Sequence, residues 1–288
     1  MGCAPARAVV PDIVIKMTFS PFAASFGAVA VCATLHASIL PTFQLDPLAL
    51  QAFGKYVEQF ERNVAAPYAQ AGKMWIDDPT CCVHKAAFSE GKPVVEPREN
   101  RDIAGGSIHH FSGVIHIAGG TIASVRQIMQ DYPNYPKYFK PDVGKGVGVK
   151  GPDSTPADEH YTSHISIIQN TLWIAVSYDC VYDTHYRYYD PHHWASISSA
   201  ASVKEWRDPK DVSQGYYPEG DDHGFLWRTN TFWFVRDAND GIDVELDSMT
   251  LSRPVPTGFG WWGSKRTHDA VEKMLKDMKA AVEALPKT

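Results

Sequence analysis

Apolar positions in this chain recur at helical spacing near each end and alternate in the stretch between. Ala49, Phe53, Tyr56, Val57, Phe60 and Val64 share one side of a helix, with Asp46 as N-cap and Pro47 as first helical residue. Pro67 is expected to end it. At the other end Val271, Met274, Leu275, Met278, Val282 and Leu285 form one stripe, and Glu272, Lys273, Lys276, Asp277, Lys279 and Glu283 point elsewhere. Residues 72–106 carry Gly72, Pro79, Gly91, Pro93, Pro97 and Gly105-Gly106, which reads as a loop-rich connector with a short helix around Cys81 to Ser89.

Regular patterning begins at Ser107. SIHHFSGVIHIAG has strand composition, and Thr121 then caps a short helix carrying Ile122, Val125, Ile128 and Met129. DYPNYPKYFKP suits a second, shorter helical turn. Six strand-like runs follow: VGKGVGVK, HYTSHISIIQ, TLWIAVSYDCVYD, WASISSAASVKEW, GFLWRTNTFWFV and GIDVELDSMTLS. Asn170 marks a turn between the second and third, and DANDG (Asp237 to Gly241) is a hairpin signal. LSRPVPTGFGWW, Leu251 to Trp262, is stiffened by two prolines and bent by two glycines, and leads into the last helix. The order is strand, two short helices, about six antiparallel strands and one long helix. Such a sheet can curl, and a single amphipathic helix is the natural cover for its concave face, an α+β arrangement.

With 288 residues, 44% of them hydrophobic, the chain is long enough for one large domain with an extension. A net charge of −6 without a basic stripe excludes nucleic acid as a partner. Arg7 and Lys16 precede an apolar run, Phe19 to Ala33, followed by small-residue sites at Val31-Cys32-Ala33 or Leu35-His36-Ala37. This pattern is that of a signal peptide over residues 1–37, which makes the expected location secreted or periplasmic. The run falls short of the roughly 20 apolar residues of a membrane span, so the mature chain is expected to hold no stable one. The expected organisation is leader 1–37, an N-terminal helix and loop-rich extension 38–106, and a main domain 107–288. Beyond the leader, one disulfide from Cys180 to Cys81 or Cys82 is open in an oxidising compartment.

Reactive motifs are sparse. GxSxG, HExxH and CxxC are absent, and Cys180 lies in an apolar strand run where a thiol is inert. The histidines are scattered over different strands and loops; His160 and His164 stand four apart, and hydrogen-bonded surface roles are expected instead of a metal site. No cofactor is expected. In LWRTNTFWF, Arg228 and Asn230 share a face with Leu226, Phe232 and Phe234, while Trp227, Thr229, Thr231 and Trp233 share the other. Arg228 is either a cross-strand ion pair on the outer face, with Glu245 or Asp247, or an anchor on a cavity floor. Ile242, Val244 and Leu246 are expected to face inward, which places Glu245 outside. Tyr178, Tyr182, Tyr186, Tyr188 and Tyr189 string along a hairpin, and the loop Asp208 to Asp222 reads as a passive connection.

The β-α-α-β6-α order, with LSRPVPTGFGWW leading into the last helix, resembles the START-like (SRPBCC, Bet v 1-like) helix-grip superfamily over roughly Ser107 to Leu285. WRTNTFWF…GIDVELDSMTLSRPVPTGFGW resembles bacterial members with secretory leaders. The resemblance implies a curved antiparallel sheet wrapped around the C-terminal helix. It also implies a cavity between them that binds or carries a hydrophobic small molecule such as a lipid, sterol or polyketide. Arg228, Asn230, Phe232, Trp233, Tyr178, Trp261, Met274 and Met278 are the candidate lining. Some members catalyse, so a polyketide cyclase or dehydratase acting in the same cavity, with Arg228 and Asn230 in acid–base roles, is the alternative.

Overall fold

The computed structural model describes residues 35–36, 40–79, 81, 85–170, 174–254 and 260–286, with residues 35–36, 170, 174 and 260–264 described by backbone alone. In chain order the elements are β1 (Leu35–His36), β2 (Phe43–Gln44), α1 (Pro47–Phe60), α2 (Ala66–Gln70), α3 (Lys85–Ser89), β3 (Val94–Ile103), β4 (Gly106–Ala118), α4 (Ile122–Gln130), α5 (Tyr135–Tyr138), β5 (Val143–Lys150), β6 (Asp158–Asn170), β7 (Ile174–Asp190), β8 (His193–Glu205), β9 (Asp221–Asp222), β10 (Arg228–Ala238), β11 (Gly241–Ser252) and α6 (Gly260–Glu283). The main sheet runs β3-β4-β11-β10-β8-β7-β6-β5 with every neighbour antiparallel; β1 adds a short parallel pairing to β7, and β2 and β9 pair separately. The sheet is curved, and α6 lies against β4, β3 and β11.

The expected strand–two helices–six strands–helix order is present, from β4 through α4, α5, β5 to β8, β10 and β11 to α6. Asp46 caps α1, accepting from the Leu48 N–H at 2.7 Å, and Thr121 and Ser124 form a reciprocal capping box at α4. Gly113 lets α6 approach β4: a Cβ there would sit 2.7 Å from both Val271 and Leu275.

Two local expectations are corrected. Pro67 does not end the first helix. Glu61–Ala65 winds as a π-helical turn, and the helix continues as α2 to Gln70, with Pro67 at a position where its missing N–H costs no bond. The connector is also less loop-like than its Gly and Pro content implies. It holds a 3-10 turn, Trp75–Asp77, then α3, then ten residues of β3 paired along β4. Pro97 sits at a register shift of that edge strand, where a ladder N–H is dispensable. The sheet therefore begins before Ser107, and β3 and the first helix fall in the same compact unit as the rest of Thr34–Thr288.

Each face of the sheet carries its own core. On one face α4, α5 and α6 pack over Phe111, Ile115, Trp233, Val244 and Leu246 through Val271, Leu275 and Met278. On the other, Ala49, Phe53, Val57 and Phe60 of α1 pack over Ile108, Phe232, Phe234, Met249 and Leu251. Ile242, Val244 and Leu246 face α6 as expected, so Asp243, Glu245 and Asp247 face α1. That face is not solvent, and all three carboxylates are buried. Their burial is compensated by partners. Asp247 takes His110 Nε2 at 3.1 Å and the Ser112 hydroxyl; His110 Nδ1 meets Tyr56 OH at 2.7 Å. Glu245 accepts the Trp75 N–H at 2.6 Å, and Asp243 holds His116 at 2.9 Å and Arg236 at 3.0 Å. Arg236 continues to Asp77. Burial, reinforced by the Asp247 charge, pushes the Glu245 carboxyl well above the usual carboxylate range.

Cys180 is buried on the α6 face, whereas Cys81 packs against the α1-side core, so the two are not bridged; Cys82 lies outside the described residues. Burial pushes the Cys180 thiol up to about 12, which keeps it protonated and inert.

Candidate functional site

The α6 face changes character along the strands. Toward the α4 end it is apolar. Further along, register aligns Ser248, Thr231, Ser198 and Thr184, one hydroxyl from each of β11, β10, β8 and β7, in a row across four adjacent strands. His109, Thr250 and Thr229 form a second, parallel row on β4, β11 and β10. A Ser or Thr on the covered face of a central strand leaves space that a Leu or Phe would fill. Thr231, Ser198 and Thr250 indeed remain partly accessible in the middle of the sheet.

Thr184 donates to Ser198 at 2.9 Å within the row. On the same face Ser196 Oγ, two residues before Ser198 of the row, is buried without a hydrogen-bond partner, as are Trp194 Nε1 and Tyr178 OH toward opposite ends of β7. Buried polar groups are normally satisfied, so an unpartnered hydroxyl beside the row is where a ligand or ordered water belongs. The rows separate the large core under α6 from a smaller one formed by Val176, Tyr178, Cys180, Tyr182, Val203 and Leu226.

The start of α6 touches strands on both sides of these rows. Arg266 donates to Gln169 on β6 at 2.6 Å, and the His268 ring meets Phe111 on β4 edge-on at 6.0 Å. Burial lowers the Arg266 guanidinium, with the Tyr178 hydroxyl opposing. At the far end of the same face Glu205 pairs in register with Tyr178 and holds His223 Nδ1, while His223 Nε2 is buried and unpartnered. Asp222 beside them accepts from the Gly224 N–H at 2.7 Å and Trp227 Nε1 at 3.1 Å. Desolvation, with the Glu205 charge adding to it, raises Asp222 to about 6.

The predicted lining divides between the two faces. Trp233, Met278 and, partly buried, Met274 belong to the α6 face, and Tyr178 lies on that face beyond the hydroxyl rows. Trp261 lies in α6 but its side chain is outside the described residues, as are residues 255–259 of the turn before it. Arg228, Asn230 and Phe232 do not line this space. Even-numbered residues of β10 face α1, as the packing of Phe232 and Phe234 there shows. Arg228 pairs neither with Glu245 nor with Asp247: register sets it opposite Leu251, and its carboxylate is Glu219 at 3.3 Å, from the loop before β9. Asn230 donates to Ser199 at 2.5 Å on the same outer face. The cavity-anchor reading of Arg228 and the acid–base role built on Arg228 and Asn230 both fall with that orientation. The hydroxyl row was missed because its members are scattered over 65 residues of sequence; alternation in each strand was the available signal, but only register aligns them.

An antiparallel curved sheet with the last helix laid over one face, in this element order, is the START-like helix-grip fold of the α+β class. No family model matches the sequence, and no curated protein matches it. Among solved structures, human StAR-related lipid transfer protein 5 aligns over 82% of this chain and 97% of its own at 12% identity, TM-score 0.44. A STAR-related lipid transfer protein fragment from Xanthomonas axonopodis aligns over 66% and 98% at 14% identity, TM-score 0.41. The Zhui aromatase/cyclase from Streptomyces sp. R1128 aligns over 61% and 94% at 9% identity, TM-score 0.35. At such values the fold assignment rests on the sheet order and helix packing described above.

Proposed function

We propose that this protein binds an apolar small molecule bearing a hydroxyl or carbonyl, between the hydroxyl rows and the first half of α6. The observation that carries this reading is the row Ser248–Thr231–Ser198–Thr184 beside the unpartnered Ser196 hydroxyl, with apolar cores to either side. Apolar walls supply affinity by burial, and a few convergent polar atoms orient the ligand. Neutral hydroxyls suit a sterol or polyketide-like molecule better than a free carboxylate. With a leader at its N-terminus, the chain would perform this binding outside the cytoplasm.

Native mass spectrometry of the protein, followed by solvent extraction, tests the reading. A released apolar species is expected from wild type, and Thr231→Phe, which fills the row, should lose it while keeping its far-UV circular dichroism. An empty wild type that also fails to take up a fluorescent sterol, or a Thr231→Phe variant that binds as well as wild type, would sink it.

The buried Glu205–His223–Asp222 group beside Tyr178 favours a second reading, acid–base chemistry on the bound molecule. Comparing the species carried by wild type with that carried by His223→Gln separates the two. Identical masses support a carrier, and a change in mass supports turnover.

A further inference from the structure

We propose that His160, His185 and Asp183, on the α1-side surface of β6 and β7, form a zinc-type divalent metal site. His160 and His185 are register partners, and their rings stack 4.7 Å apart and 2° from parallel. Asp183 stands two pairs further along the ladder, on the same face. One ring nitrogen of each histidine and a carboxylate oxygen of Asp183 all lie within 4.8 Å of one another. His160 Nε2 is 2.8 Å and His185 Nε2 3.8 Å from Asp183 Oδ1. Ligand atoms about 2.0–2.1 Å from a tetrahedral zinc are separated by roughly 3.3 Å, which these distances bracket.

The decisive feature is behind the rings. His160 Nδ1 is held by Asp153 at 2.8 Å and His185 Nδ1 by Asp158 at 2.9 Å. Each imidazole thus carries a carboxylate on Nδ1 and turns Nε2 toward the Asp183 carboxylate, the second-sphere arrangement by which proteins orient metal-binding histidines. Asp153 is brought there by a pinned loop: Gly151 N–H donates to the His160 carbonyl at 2.8 Å, and Ser154 Oγ bridges to the His160 backbone at 3.0 Å. His160 Nε2 is buried, with Asp183 Oδ1 at 2.8 Å as its carboxylate neighbour. Two imidazoles and one carboxylate suit Zn²⁺ over Mg²⁺ or Ca²⁺, and three protein ligands leave a fourth position for water or an incoming group.

The test is Co²⁺ titration of the chelator-stripped full chain, read by visible absorption, with Zn²⁺ stoichiometry by calorimetry. One site per chain with tetrahedral Co²⁺ bands is expected. Affinity should fall at least about tenfold in His160→Ala, His185→Ala and Asp183→Asn, and by roughly tenfold in Asp158→Asn, which removes only an orienting charge. His192→Ala and His268→Ala should bind as wild type; His268, with Asp269 and Glu272, is the other clustered donor set among the described residues. If His185→Ala does not fold, the exposed Asp183→Asn variant decides. No binding by wild type, unchanged affinity in Asp183→Asn, or loss on His268→Ala alone would overturn the assignment.

Discussion

The two faces of the sheet bury polar groups in opposite ways. Under α1 the groups are ionisable and paired: His110 with Asp247 and Tyr56, His116 and Arg236 with Asp243, Glu245 with the Trp75 amide. In the middle of the α6 face they are mostly neutral hydroxyls, several partly accessible, and the ionisable Glu205–His223–Asp222 group is confined to the far end. Charges that leave water need fixed partners within the fold, so the α1 face is closed and structural. Neutral hydroxyls tolerate a vacant bond at lower cost and can exchange partners, which is what a face that receives a ligand requires. The N-terminal segment accordingly reads as part of the fold's structural layer. Phe53, Val57 and Phe60 are buried in it, and Trp75 completes the satisfaction of Glu245.

Substitutions on the two faces should separate these roles. The largest effect is expected from Asp247→Ala, which strands His110 and Ser112 in the core; denaturant unfolding at neutral pH should show a loss of about 3–5 kcal/mol. A loss under 1 kcal/mol would mean the α1 face is not the closed layer described here. Next is Asp222→Asn, at the sheet's far end. Its folded-state value of about 6 lies above the ordinary 3.8, so its contribution is present below about pH 4 and lost as pH rises through 6. Wild type should therefore lose on the order of 2–3 kcal/mol over that window relative to Asp222→Asn, whose remaining Oδ1 still accepts from Gly224 and Trp227. The smallest is Thr231→Val. Stability should change by less than about 1 kcal/mol, because an isosteric methyl replaces a hydroxyl without a fixed bond. Uptake of a hydroxylated apolar probe should weaken severalfold nonetheless. If stability drops as far as for Asp247→Ala, the hydroxyl row is structural.

Much of the fold was legible in the residue pattern. Period-3.6 stripes located α1 and α6, and strand composition with turn signals located β4 to β8, β10 and β11. Asp46 and Thr121 announced their helix starts by the chemistry of capping. Expectations failed where a local signal met a tertiary partner. Pro67 was accommodated by a π-helical turn, and Pro97 by a bulge on an edge strand that β4 recruits. Of the candidate site, the sorting of β10 into two faces was readable, but which face α6 covers was not. That choice removed Arg228, Asn230 and Phe232 from the ligand space and kept Trp233.

By itself the sequence determined the periodicities, the caps and the alternation of side chains, because each follows from bonds and sterics within a few residues. Only the tertiary structure decided which strand lies beside which. Register turned hydroxyls from Thr184 to Ser248 into a row and set His160 beside His185, with Asp183 two pairs away on the same face. It also closed the ionisable Asp243, Glu245 and Asp247 into the α1 face. Pairing across a sheet is a property of strands distant in sequence, set by which faces can be buried together, and no local pattern encodes it.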